Sequence, residues 1–365
     1  MKKQIFILVF LVVATFASVS KSYGQAVAPT VVAPRPLTLV DSPLAPIVGK
    51  PYTYSATINP ATGNAFWYAT TATTFMTAGA RPGTNVIAAS ATSVIPDAAP
   101  AIGNYATLTP TAADGTTSTK FTWASTLLNG KNATTAPLFV VVEYNGPVCT
   151  TSNNVKVMQI IPQNAFTIDL TNMTNAGPVA LPYGTPESQC YKGIVSSSWV
   201  SGTGLTNNYG TQVLYFELVA ANFSVGFKPT FQLSGLKKSQ TATIDWGGVI
   251  GAYPTSASST VAVVPPLDPA TFTSPQQTVT TTLTNTTGGA AIYIRVTINN
   301  NGYEGVTAGG DAITLAVDAV DNSGNNDVTP AGIDKGAFAE LAVQTLNARP
   351  AITPGAGMTF VTQVP

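Results

Sequence analysis

Chemistry in a protein chain needs side chains that move protons, hold metals or attack electrophiles, and this sequence is thinly supplied with them. It contains no histidine. That removes Ser-His-Asp and Cys-His nucleophiles, histidine general bases and the usual zinc sites, which draw on imidazole or clustered thiolates. A pair of carboxylates could still cleave a glycosidic bond, because that mechanism needs only two acids at the right separation. The acids that interrupt apolar runs are Glu143 and Glu217, and these are the candidates for perturbed carboxylates. No glycine-rich loop follows a strand and opens a helix, so the glycines read as turns rather than phosphate cradles.

One oxygen-rich run could hold calcium. Asp318, Asp321, Asn325 and Asp327 lie within ten residues, and calcium takes carboxylate and carbonyl oxygens from a tight loop. The spacing is not that of an EF-hand, since Gly324 comes too early and Gly332 stands where the bidentate Glu would be. An ordinary Asx-rich turn after a strand accounts for the same residues. Cys149 and Cys190 are the only cysteines and form a candidate disulfide closing a long loop, the alternative being two small buried hydrophobes. Exposed aromatics such as Trp67, Tyr68 or Trp199 could stack on sugar rings, although three consecutive strand residues, Phe66-Trp67-Tyr68, cannot all face one way and suit core filling.

The elements that must position these residues are strands. Tyr52, Tyr54, Ala56 and Ile58 alternate with Thr53, Ser55 and Thr57, which predicts a half-buried strand. Phe121 and Trp123 alternate in the same way. Leu138 to Glu143 is apolar on both faces, stops at Asn145-Gly146-Pro147 and returns over Val155 to Ile161, which predicts a long antiparallel hairpin in a packed sheet. Further on, Val213–Ala220, Phe223–Phe227, Ala242–Trp246, Ile292–Ile298 and Ile313–Val317 read as strands with no convincing helix between them. The expected fold is all-β: two antiparallel β-sandwich domains, the first immunoglobulin-like, after a cleaved signal peptide.

The expected divisions are a signal peptide over residues 1–24, an extended Pro-rich lead-in over 25–45, sandwiches over 46–163 and 164–350, and an extended tail over 351–365. Lys2 and Lys3, the apolar run Ile5–Ala14 and Ser22-Tyr23-Gly24 have the arrangement of a secretory leader, and the apolar run is too short to span a bilayer. The lead-in reads either as a polyproline-type linker or as a segment able to join the open sheet edge of a neighbouring molecule. Only 9% of residues are charged, and 16 basic side chains balance 16 acidic ones. That leaves no electrostatic case for nucleic acid or an anionic membrane.

The order of Gly-Lys-Pro-Tyr-Thr-Tyr at 49–54, Thr-Lys-Phe-Thr-Trp at 119–123 and the Phe-Val-Val-Val-Glu-Tyr hairpin leading to Cys149 resembles the immunoglobulin-like or PKD-like modules of exported surface proteins in Bacteroidota. Asn164-Ala165-Phe166-Thr167 and Gln344-Thr345-Leu346-Asn347 with Arg349-Pro350 add to the likeness. The antibody-type Cys…Trp…Cys core is absent, and the last residues do not resemble a sorting domain. The resemblance implies a non-enzymatic protein of the cell surface or extracellular space, needing no cofactor apart from the calcium candidate. It would act in adhesion or as a structural subunit, its partners being other surface proteins or further copies of itself. The alternative expectation is a carbohydrate-binding module with glycan partners.

Overall fold

The fold is taken from a computed structural model that describes residues 35–59, 61, 63–75, 86–87, 94–96, 106–110, 112–128, 137–145, 153–202, 204–223, 226–251, 260–263, 270–279 and 290–360. The signal-peptide region and the first part of the lead-in lie outside these residues, as does Cys149.

The first sandwich contains β1 (Pro51–Thr57), β2 (Asn64–Thr70), β3 (Val94–Pro96), β4 (Ala106–Pro110), β5 (Thr116–Trp123), β6 (Leu138–Asn145) and β7 (Asn153–Ile160). One sheet runs β1-β5-β3 and the other β4-β2-β6-β7. The two-residue period places Tyr52, Tyr54, Phe121, Trp123, Val140 and Val142 between the sheets, where they form one core. The expected hairpin is β6–β7, in register from Leu138 opposite Ile160 to Asn145 opposite Asn153. Strand β6 is covered on both faces because Val141 belongs to a second apolar cluster on the outer side, with Tyr68, Phe75 and Phe139.

The second sandwich contains β8 (Thr167–Met173), β9 (Glu187–Cys190), β10 (Ser196–Val200), β11 (Gly204–Asn208), β12 (Thr211–Ala221), β13 (Phe227–Leu236), β14 (Thr241–Gly247), β15 (Thr260–Val263), β16 (Ala270–Thr273), β17 (Ala290–Asn299), β18 (Asp311–Asp321) and β19 (Glu340–Asn347). Sheets β15-β14-β17-β12-β8 and β16-β13-β18-β19-β9 face each other, and β10–β11 is a separate hairpin. Leu214, Phe216 and Leu218 of β12 and Ile292, Ile294 and Val296 of β17 meet Phe231, Leu233, Ile313 and Leu315 in the core. Removing such side chains from water, at about 25 cal/mol per Å² of apolar surface, is what holds the two sheets together. Most neighbours are antiparallel, whereas β9 lies parallel to β19.

One expectation is corrected. Asn222, Phe223 and Gly226 lie outside any strand, β12 ending at Ala221 and β13 beginning at Phe227, while Ser224 and Val225 are outside the described residues. Asn222 and Gly226 hold φ of 60° and 141°, which turn the chain between sheets, and Phe223 plugs the core from this connection.

Strand β13 carries a bulge between Ser234 and Leu236 where its register against β16 shifts. Gly235 sits there at φ 92°, and a Cβ at this position would run into the Ala312 carbonyl oxygen. Gly235→Ala should therefore lower unfolding free energy by about 2 kcal/mol or more in urea titrations, through left-handed strain and the clash together. A wild-type midpoint in this variant would contradict the bulge.

Candidate functional site

The sandwiches meet at the ends of their strands, and a strap from the lead-in crosses the junction. Asp41 accepts the Tyr52 hydroxyl at 2.6 Å and pairs with Lys50. The Pro43 carbonyl accepts the Tyr54 hydroxyl at 2.6 Å, and Tyr54 in turn accepts Trp123 Nε1–H at 3.0 Å. Gln163 Nε2 donates to the carbonyls of Val40 and Ala45. The described half of the lead-in, residues 35–45, is thus packed on its own chain.

At the start of the strap, Arg35 enters a nest of buried acids in the second sandwich. Its backbone N–H donates to Asp169 Oδ2 at 2.7 Å and its Nε to Asp169 Oδ1 at 2.6 Å, while an Nη reaches Glu340 Oε1. The guanidinium lies 4.0 Å over the Tyr183 ring. Lys335, with only 4% of its side chain exposed, donates to Glu340 Oε1 at 2.7 Å and stands 3.5 Å from Asp327 Oδ2. Two cations therefore face the three buried carboxylates of Asp169, Glu340 and Asp327. Burying charge favours the neutral form of any acid left over. Burial pushes the Asp327 carboxyl up to about 7, with Lys335 opposing and the neighbouring Asp318 adding to the rise. Asp318, which hydrogen-bonds Asp327, is raised by burial as well.

The four calcium candidates are thereby placed. Asp318 and Asp327 form a carboxyl pair beside Lys335. Asp321 Oδ1 accepts the N–H groups of Ser323 at 2.8 Å and Asn325 at 2.9 Å, and its Oδ2 accepts Asn325 Nδ2–H at 2.9 Å. This is an Asx turn. Its outer side docks on the first sandwich: Asn325 Nδ2 donates to the Ser125 carbonyl at 3.0 Å, and the Ser125 and Ser323 hydroxyls lie 2.7 Å apart. Among the described residues, no group of three or more His, Cys, Asp or Glu is arranged to hold a metal ion. A cleft of 470 Å³ beside the strap is lined by Arg35, Leu37, Val48, Lys50, Thr167 and Asn222.

The other candidates are dispersed. Glu143 and Glu217 are fully buried in different sandwiches, so they do not share a cleft, and Glu143 Oε1 accepts the Tyr68 hydroxyl at 2.5 Å. Trp67 and Tyr68 are fully buried, and Trp67 Nε1 donates to Thr117 Oγ1 at 3.1 Å. Their buried position removes them from any sugar platform. Trp199 is 59% exposed on β10. Cys190 is exposed on β9.

Two features at the far end of the second sandwich were not singled out from the sequence. Arg349 is held between the rings of Tyr191 and Tyr209, 4.8 and 4.6 Å from their centroids, and donates to the carbonyls of Lys192, Tyr303, Glu304 and Tyr209. It clamps the root of the β10–β11 hairpin. Every residue of β10 is exposed, and Ile194, Val195, Trp199 and Val200 present apolar surface there. The Arg349-Pro350 pair was the one local signal, and it did not reveal a clamp.

No family model matches the chain, and no curated protein matches it. Solved structures with some likeness include the N-terminal domain of PorA, 12% identical over 49% of this chain and 96% of that one, with a TM-score of 0.20. The T6 backbone pilin of serotype M6 Streptococcus pyogenes is 9% identical over 82% and 65% at 0.23. BcpA, the major pilin subunit of Bacillus cereus, is 8% identical over 81% and 69% at 0.25. At these TM-scores the likenesses carry no argument about function.

A pH titration tests the acid nest. Asp327 lies well above its ordinary 3.8 in the folded state, so between about pH 4 and 7 the native chain keeps a proton that the unfolded chain releases. Its contribution to stability therefore falls as pH rises through that window, by up to about 1.4 kcal/mol per pH unit, and is level above it. Urea unfolding of Asp327→Asn should show a less negative slope between pH 4 and 7 than wild type. Parallel curves would refute the shift.

Proposed function

We propose that this is a secreted, non-enzymatic surface protein that acts in adhesion or as a structural subunit of an extracellular assembly. The observation that carries the reading is the far end of the second sandwich. There, the projecting hairpin exposes Ile194, Val195, Trp199 and Val200, and the segment after Arg349 exposes Ile352, Met358 and Phe360. Concentrated exposed apolar surface costs solubility unless a partner covers it. The remainder of the molecule suits bearing a load between partners: two cores tied by a strap, a buried ion nest and the Asn325–Ser125 contact. The separate burial of Glu143 and Glu217 supports a reading without catalysis. The arrangement of Lys2, Lys3 and the apolar run after them supports export.

Trp199 supports one second reading, a glycan contact, because an exposed indole on a rigid hairpin can stack on a sugar ring.

Light scattering and electron microscopy of the chain from Gln25 onward decide between them. Assembly should grow with protein concentration. A monomer at every concentration, with glycan binding abolished by Trp199→Ala, would overturn the assembly reading in favour of the second.

A further inference from the structure

Among the described residues, the first sandwich is open on one side. Strand β1 pairs only with β5 and β7 only with β6 among the described residues, so both present a free edge, and the two edges flank the same gap. The inward-facing positions of β7 record the opening. Ile160 is buried and Met158 partly so, but Lys156 and Asn154, next on the same face, are exposed. Opposite them lie Val142 and Tyr144 of β6, in register with Lys156 and Asn154. Together with Ala56 and Ile58 these residues line a groove of 290 Å³. It lies at the end of the sandwich away from the junction, since β1 leaves the junction at Pro51 and reaches the groove at its last residues.

An exposed segment that belongs to no strand lies at the opposite end of the molecule. After the Arg349 clamp, Ala351–Phe360 is exposed at all ten positions, with Ile352, Met358 and Phe360 at 81%, 65% and 60%. The segment turns at Gly355–Met358, with Gly357 at φ 78°, and past that turn Met358 and Phe360 are two apart, so they share a face once this end pairs as a strand. The chain beyond Arg349 reaches at most about 36 Å by Phe360. Its own groove is farther, because β18 spans about 36 Å of the second sandwich and β1 about 23 Å of the first. The occupant must come from another copy.

We propose that copies of this chain join head to tail, the segment Ala351–Phe360 of one adding to the open side of the next copy's first sandwich with Met358 and Phe360 in the groove. The inference rests on the assembly reading above and names its contact. Added backbone pairs with a free edge, and alternate side chains fill the gap between sheets. The contact is heterologous, with different surfaces on the two partners, so it propagates into a filament instead of closing a dimer.

Complementation tests it. Phe360→Asp places a charge on a residue that is exposed in the single chain, so its fold should survive; Ile58→Asp damages the groove, and its folding is checked by thermal melting. Each alone should raise the concentration at half-assembly at least tenfold. An equimolar mixture should stop at dimers, because one intact tail can meet one intact groove. If Ile58→Asp does not fold, a photo-crosslinking residue at position 360 replaces it, and crosslinks to β1, β6 or β7 of a second copy are expected. Wild-type assembly with an unaffected Phe360→Asp variant, or crosslinks elsewhere, overturns this contact while leaving the assembly reading intact. A wild type that never assembles removes both.

Discussion

Everything at the junction depends on keeping too many acids dry. Asp169, Glu340 and Asp327 are buried within reach of Lys335, and Lys335 alone does not balance them. Desolvated carboxylates without partners cost several kcal/mol each, so a second cation is required. It is supplied by Arg35, from a segment that precedes both sandwiches. The strap is therefore held by the electrostatic needs of the second sandwich, and it draws the first along with it through Asp41, Pro43 and the Tyr52 and Tyr54 hydroxyls. Burial raises the remaining acid, Asp327, toward its protonated form and so lessens the imbalance.

The two ends of the second sandwich treat polar groups alike and apolar groups differently. At the far end, Asp311 is buried and accepts the Tyr191 hydroxyl at 2.9 Å and the Tyr303 hydroxyl at 2.8 Å, with Lys237 3.3 Å away. That network fixes the platform from which the hairpin and the last segment emerge. At the junction the apolar surface is covered by the strap and the first sandwich; at the far end it faces water. Polar networks fix both ends, although Glu340 Oε2 and Thr167 Oγ1 at the junction are buried without a hydrogen-bond partner, and the apolar covering is missing at one end.

The strands with one wet face were legible in the sequence, because a period of two is visible wherever apolar and polar residues alternate, as in Tyr52–Ile58 and Ile292–Ile298. The Asx turn at Asp321 was also legible, since Asp and Asn close such turns locally. Its docking role was not: Asn325 meets a partner 200 residues away. The same distance hides Arg35, which reads as an ordinary charge in a proline-rich run until β8 and β19 are folded beside it. The hairpin β10–β11 escaped notice for the opposite reason. A strand exposed on both faces needs no alternation, so Ser196 to Val200 carries no periodic mark. Asn222, Phe223 and Gly226 carried that mark without lying in a strand, Phe223 serving as a plug for the core.

The link between Arg35 and Glu340 spans 305 residues, and this sets an order of events. A chain made at about 5–20 residues per second exposes Arg35 for roughly 15–60 s before the last strand appears. The first sandwich, whose strands all end by Ile160 and which holds residues 40–45 of the strap itself, can close during that interval while Arg35 still lacks Glu340. The clasp can shut only after synthesis has passed β19. The molecule thus carries a built-in sign of completion: a chain cut short between Gln163 and Glu340 keeps its first module but leaves the Arg35 end of its leading segment open to proteases, while a finished chain withdraws it.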